Sequence, residues 1–232
     1  MLVDQAEKLR LMVRQTKKTA HILAVTSGKG GVGKSNVSAN LAICLAATGK
    51  SVILIDADLG LANLDVMLNV RSRYNLSHVI SGKRSIEQII QDAPGGVRLI
   101  CGASGLSDLA DVTPFQRQQI VQELTALEYQ ADFIIIDTGA GISSSVLSFC
   151  EAADQTLVVT TPEPPSITDA YAVIKRLAQG HSGTKISLLV NMAPNRSEAR
   201  KVYQRLAQTA AKFISVIVYD AGYVLRDEHV SE

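Results

Sequence analysis

The chain has 232 residues, 47% of them hydrophobic, and a formal net charge of +1; this length buries one substantial core, and the near-neutral balance demands neither nucleic acid nor an acidic surface as partner. Cys44, Cys101 and Cys150 lie far apart in apolar contexts with no Cys-x-x-Cys pair, which argues against a disulfide framework or a zinc site and reads as inert core thiols of a cytosolic protein. No signal peptide opens the chain and no apolar run reaches the roughly 18 residues that span a bilayer, so a soluble protein is expected, with docking on a membrane surface left open.

In chain order, Leu2, Ala6, Leu9 and Val13 fall on one face of a short helix. Asp4 and Glu7 precede Arg10, Arg14, Lys17 and Lys18, a charge order that suits the helix dipole. Such a segment reads either as a terminal helix packed loosely on the domain or as a partner-binding helix ahead of it. From His21 onward, apolar runs rich in β-formers alternate with helical patterns. Strands are expected over 22–26, 51–56, 97–101, 133–137, 156–161, 186–191 and 214–219, and helices over 32–48, 75–81, 85–91, 114–128, 143–152, 166–179 and 197–212. The strand runs are nearly continuous in apolar residues, as in parallel sheets covered on both faces. The alternation predicts an α/β fold: a doubly wound, mostly parallel sheet of about seven to eight strands with helices on both faces. Residues 1–19 then form a leading helix and 20–232 the domain.

In this architecture ligands bind beyond the carboxyl ends of the strands. The first strand runs into Ser27-Gly28-Lys29-Gly30-Gly31-Val32-Gly33-Lys34-Ser35, which fits the Walker A pattern, with Gly28 and Gly33 as outer glycines. Its backbone N–H groups and the following helix N-terminus suit an oligophosphate. Lys34 is placed to reach the β and γ phosphates, and Ser35 to bind magnesium. The second strand ends in Asp56-Ala57-Asp58, followed by a glycine-containing loop to Asp65. Two carboxylates one residue apart there suit a magnesium-sensing switch that orients a water. The run Ile134-Ile135-Ile136-Asp137 has the Walker B form, with Asp137 holding the metal through its water shell. A strand-end aspartate also serves to cap a turn; the Walker A motif in the same chain favours the metal role. Asp65 reads as a solvated loop charge, and the four histidines share no ligand spacing.

Lys29 adds a second lysine inside the loop. With Lys34 occupying the place beside its own γ-phosphate, Lys29 is better placed to reach the nucleotide of a partner subunit. Lys29 to Ser35 resembles the deviant Walker A motif of the MinD/ParA (SIMIBI) ATPases, which dimerise face to face around ATP. The resemblance covers residues 20–228. It takes in Asp56 to Asp65 as switch I, Asp137-Thr138-Gly139-Ala140-Gly141-Ile142 as switch II, and Thr161 to Tyr171. With Pro94 to Val97 and Gly102 to Gly105, that last run is most similar to the branch of the family that regulates flagellar number.

The resemblance implies a slow, dimer-dependent ATPase using ATP and Mg2+. Asp58 positions the attacking water and, with Lys29 and Lys34, makes up the catalytic set. Gly28, Lys29, Gly30, Gly31, Val32, Gly33, Lys34, Ser35 and Asn36 cradle the nucleotide, with Asn191 facing adenine, while Ser35, Asp56 and Asp137 support magnesium. Lys29, Asn63, Glu163 and Asp169 fall at the homodimer interface. Asp4, Gln5, Ala6, Leu9 and Arg10 resemble an element that activates a signal-recognition-type GTPase of the FlhF kind, which moves the leading helix to the partner-binding reading. A flagellar transcriptional regulator or the flagellar C-ring are further implied partners, and the implied location is the cytoplasm, peripheral to the inner face of the membrane or the pole. Two departures stand out. The chain stops at Glu232, where the family continues into an amphipathic membrane-targeting helix, so membrane contact is expected only if such a helix exists. Leu225 replaces a frequent proline near the adenine.

Two other functional classes make demands that this sequence can be read against. A DNA-partition ATPase needs a basic surface, to which Arg196, Arg200, Lys201 and Arg205 would contribute, although helical charges of this kind usually form a solvated face. Nucleic acid is thus not the expected partner. An iron–sulfur carrier needs paired cysteines at an interface, which this spacing does not offer.

Overall fold

The computed structural model describes residues 19–58, 62–102, 114–180 and 184–230. The apolar runs become parallel strands because successive side chains point to opposite faces and both faces are covered. In the strand Phe133–Ala140, for example, Ile134 and Ile136 join one apolar cluster and Ile135 the other, all fully buried. Each such side chain contributes roughly 1.5–3 kcal/mol through burial.

The elements are β1 (His21–Ser27), α1 (Lys34–Ala47), β2 (Val52–Ala57), α2 (Leu64–Met67), α3 (Leu76–Ile80), β3 (Gln91–Ala93), β4 (Val97–Ile100), α4 (Pro114–Leu127), β5 (Phe133–Ala140), α5 (Ser144–Glu151), β6 (Gln155–Thr160), α6 (Pro164–Ala178), β7 (Lys185–Ala193), α7 (Arg196–Ile214) and β8 (Val218–Leu225). They form one eight-stranded sheet in the order β3-β4-β2-β5-β1-β6-β7-β8. Every pairing is parallel except that of the edge strand β3 with β4. The expected doubly wound fold is therefore present. β1 lies between β5 and β6, where the winding reverses, so a crevice opens at its carboxyl end.

Residues of α3, α4, α5, α6 and α7 pack on one face of the sheet, and those of α1 and α2 on the other. α1 covers β1, β2, β4 and β5, and beside it a cleft of about 1150 Å³ runs along β6, β7 and β8. Among the described residues, no helix is long and apolar enough to cross a membrane.

Four details differ from the sequence expectations. α7 continues to Ile214, where Ser215 takes a left-handed φ of 55° and ends it, so the last strand is Val218–Leu225 rather than 214–219. The helix expected over 85–91 is only a single 3-10 turn at Glu87–Ile89, because the chain then turns into β3. Asp65 belongs to the first turn of α2 and accepts from Val66 N–H, rather than standing in an open loop. Cys44, expected in the core, is exposed on α1, while Cys101 and Cys150 are buried. Position 44 faces the cleft beside α1 rather than the sheet. The leading helix and its Asp4, Gln5, Ala6, Leu9 and Arg10 lie outside the described residues, as do positions 59–61 of the switch I loop and 103–105 of the Gly102 to Gly105 run.

Candidate nucleotide site

The loop between β1 and α1 folds over the carboxyl end of β1 and lines a cleft of about 690 Å³. Facing it across the cleft are Asp58, Asn63, Gly139, Ala140 and the serines at the start of α5. Two of its glycines are required by space. A Cβ at Gly28 would lie 2.3 Å from the backbone carbonyl of Asp169, so the loop sits directly against α6. Gly33 has a φ of 81°, open to glycine at no steric cost, and a Cβ there would lie 2.3 Å from Asn191 Nδ2. That amide donates to Val32 carbonyl oxygen at 2.8 Å, which ties the loop to the end of β7.

At the floor lies a buried polar cluster. Lys34 Nζ pairs with Asp137 Oδ1 at 3.0 Å, the lysine 8% and the aspartate 1% exposed. Ser35 Oγ donates to Asp137 Oδ2 at 2.6 Å, and Ser38 Oγ lies 2.8 Å from Oδ1. β2 and β5 are in register here, Asp56 opposite Asp137. Asp56 is 1% exposed and accepts from three backbone N–H groups: Asp58 at 3.2 Å on Oδ1, and Asn63 and Leu64 at 3.0 Å each on Oδ2. Burial pushes its carboxyl up to about 6, with the Leu64 N–H opposing and the nearby Asp137 reinforcing the rise. Asp56 thus ties both ends of the switch I segment to the end of β2. Asp58, just beyond, lines the cleft, with its Oδ1 3.6 Å from where a Cβ on Gly139 would sit.

At the rim, Lys29 Nζ reaches Glu163 Oε2 at 3.3 Å; the two side chains are 44% and 66% exposed. Glu163 precedes α6 and Asp169 lies within it, so three of the four expected interface positions, Lys29, Glu163 and Asp169, gather on one side of the loop. Asn63 stands opposite, across the cleft. The larger cleft beside α1 shares Gly33 and Asn36 with the phosphate cleft and continues past Thr161, Pro162, Asn191 and Met192. The two clefts therefore join into one continuous groove that runs from the loop past Asn191.

Several participants carry no motif signal. Ser27 and Ser143 to Ser145 line the phosphate cleft; Ser143 is legible only as the N-cap of α5. Ser38 shares a helix face with Lys34 at a spacing of four. Thr161 is 5% exposed, lines the base-side cleft, and its hydroxyl has no hydrogen-bond partner among the described residues.

The paired oxygens of Ser35 and Asp137 are the hard donors that magnesium takes. Together with the glycine loop at the switch point of a parallel sheet, they define a P-loop nucleoside triphosphatase. Residues 18–212 match the ParA family model, described as NUBPL iron-transfer P-loop NTPase. The chain is 42% identical to the antiactivator FleN of Pseudomonas aeruginosa over 209 residues, 90% of this chain and 75% of that protein. It is 41% identical to the flagellum site-determining protein YlxH of Helicobacter pylori over 86% of this chain and 67% of that one. The septum site-determining protein MinD of Thermotoga maritima is 40% identical over 74% of this chain and 64% of its own length. Among solved structures, the cell division ATPase MinD of Pyrococcus furiosus superposes with a TM-score of 0.71 at 26% identity, covering 81% of this chain and 79% of that one. MinD of Pyrococcus horikoshii, complexed with Mg-ADP, gives 0.69 at 27% identity over 79% and 77%. The chain belongs to the ParA/MinD family of P-loop NTPases and is an ATPase.

Proposed function

We propose that this protein is an ATP-dependent dimerisation switch that controls the number or placement of flagella. One observation carries the switch: Lys29 stands at the open rim of the phosphate cleft, held to Glu163 rather than turned in toward its own phosphate position. A lysine so placed suits the nucleotide of a second copy, in the manner of an arginine finger supplied in trans. Exposed apolar side chains close in sequence to cleft-lining residues support a covered face. Ile142, two residues past β5, is 50% exposed, and Val66, three residues after Asn63, is 77% exposed. The flagellar role rests on similarity to FleN and YlxH.

The reaction is attack of water on the γ-phosphorus with cleavage of the bond to the bridging oxygen, releasing ADP and phosphate. Asp58 orients the water. Lys34 leaves Asp137 for the phosphates, and Lys29 of the second copy offsets the growing negative charge. Ser35 and Asp137 would hold magnesium, with Asp56 shaping the switch beside them; the metal would supply neutralisation of phosphate charge. Residues 1–19 would activate a partner GTPase of the FlhF type through Asp4, Gln5, Ala6, Leu9 and Arg10. Action in the cytoplasm, at the inner membrane face or the pole, belongs to the same reading.

Size measurement of Asp58→Ala with ATP and with ADP tests the switch. A dimer with ATP and a monomer with ADP is expected; a monomer in both refutes it.

A further inference from the structure

We propose that Ser38 is a positioning residue of the nucleotide site, one that retains the Asp137 carboxylate while Lys34 moves from it to the phosphates. Ser38 is fully buried on α1, one turn beyond Lys34. Its Oγ lies 2.8 Å from Asp137 Oδ1 and 3.1 Å from the Lys34 carbonyl oxygen. A hydroxyl has a single hydrogen to donate, and the shorter contact to the charged acceptor takes it. Asp137 Oδ1 therefore has two donors, Lys34 Nζ and Ser38 Oγ, while Oδ2 has Ser35 Oγ at 2.6 Å.

Binding of a triphosphate changes this arrangement at one point. Lys34 can serve the phosphates only by giving up Oδ1, and a carboxylate 1% exposed to solvent cannot recover that contact from water. Ser38 is the donor that stays on Oδ1. It fixes the rotation of the carboxyl group and so keeps Oδ2 directed at Ser35, the pair of oxygens that fits magnesium. Nothing in the loop motif includes this residue, because the motif ends at Ser35 and the role depends on β5 lying against α1.

The test is equilibrium titration of the whole chain with a fluorescent ADP analogue, in EDTA and in excess Mg2+, for the native protein and Ser38→Ala. The ratio of the two affinities is expected to fall about tenfold in Ser38→Ala, the loss of one hydrogen bond to a charged group, with much smaller change in EDTA. Ser38→Cys keeps the shape of the side chain with a somewhat larger end atom that is only a weak donor, and it is expected to lose the same ratio; it decides the matter should the alanine variant not fold. An unchanged ratio, or equal loss with and without Mg2+, assigns Ser38 to packing alone and overturns the proposal.

Discussion

Lys34 and Asp137 form a buried ion pair that has to open when phosphate arrives. Removing one member leaves the other charged and without its counter-ion in a site closed to water, which typically costs about 3–5 kcal/mol. Lys34→Ala is therefore expected to lose nucleotide affinity and also to lower the stability of the nucleotide-free protein by an amount of that order. Adding Asp137→Asn should restore much of it. Urea denaturation of the three proteins checks this, and a single variant as stable as the native chain contradicts it. Asp56 sets a pH dependence of the opposite kind from an ordinary salt-bridged aspartate. Its carboxyl rises from 3.8 to about 6 on folding, so the folded state holds the proton more tightly than the unfolded one. Its favourable contribution is full below about pH 4 and is lost as pH rises through about 6, a change on the order of 3 kcal/mol. Relative to the native protein, Asp56→Asn should lose less stability between pH 4 and pH 7. The three thiols divide in the same residue-by-residue way. Cys44 is exposed, whereas burial pushes Cys101 up to about 11 and Cys150 up to about 12, which keeps them as unreactive thiols. A thiol titration at pH 8 should find one reactive group in the folded chain and three after unfolding; fast reaction of more than one contradicts the placement.

At the scale of elements, the loop from Ser27 to Ser35 is held by its neighbours as much as by its own sequence. Asn191 at the end of β7 bonds to Val32, and Gly33 leaves room for that amide. Gly33→Ala would bring both a strained φ and a close contact, so it is expected to weaken nucleotide binding at least tenfold while the sheet remains folded. Circular dichroism together with nucleotide titration separates the two effects. α7 and β8 show where local reading falls short. Phe213 to Tyr219 is apolar or aromatic throughout apart from Ser215, so the boundary between helix and strand has no sequence mark. The left-handed turn at Ser215 sets it. β3 is similarly hidden, since a three-residue antiparallel edge has too few positions to display a period.

For the molecule as a whole, the one-sided site predicts complementation between subunits. Lys29→Ala and Asp58→Ala should each be slow alone, because every site lacks one group. Mixed in equal amounts, half the dimers are heterodimers, and each has one site with its own Asp58 and the partner's Lys29. ATPase activity of the mixture should then recover to about a quarter of the native rate. Activity no greater than the mean of the two variants argues that Lys29 acts within its own subunit. Deleting residues 1–18 is expected to leave ATP hydrolysis largely intact, since β1 and the loop begin after them, and to abolish activation of the proposed GTPase partner.

Much of this protein was determined by local sequence. Continuous apolar runs called for parallel strands covered on both sides, and the glycine and lysine pattern after the first of them marked the phosphate loop, because an oligophosphate needs close backbone approach and a cation at fixed spacing. The tertiary structure alone decided which carboxylates serve which purpose. Asp56 and Asp137 look alike as strand-end aspartates, yet one takes up backbone N–H groups and the other gathers Lys34, Ser35 and Ser38. Those partners are about a hundred residues from Asp137 in the chain. They meet only because β5 is laid beside β1 in register, and no local pattern encodes that contact.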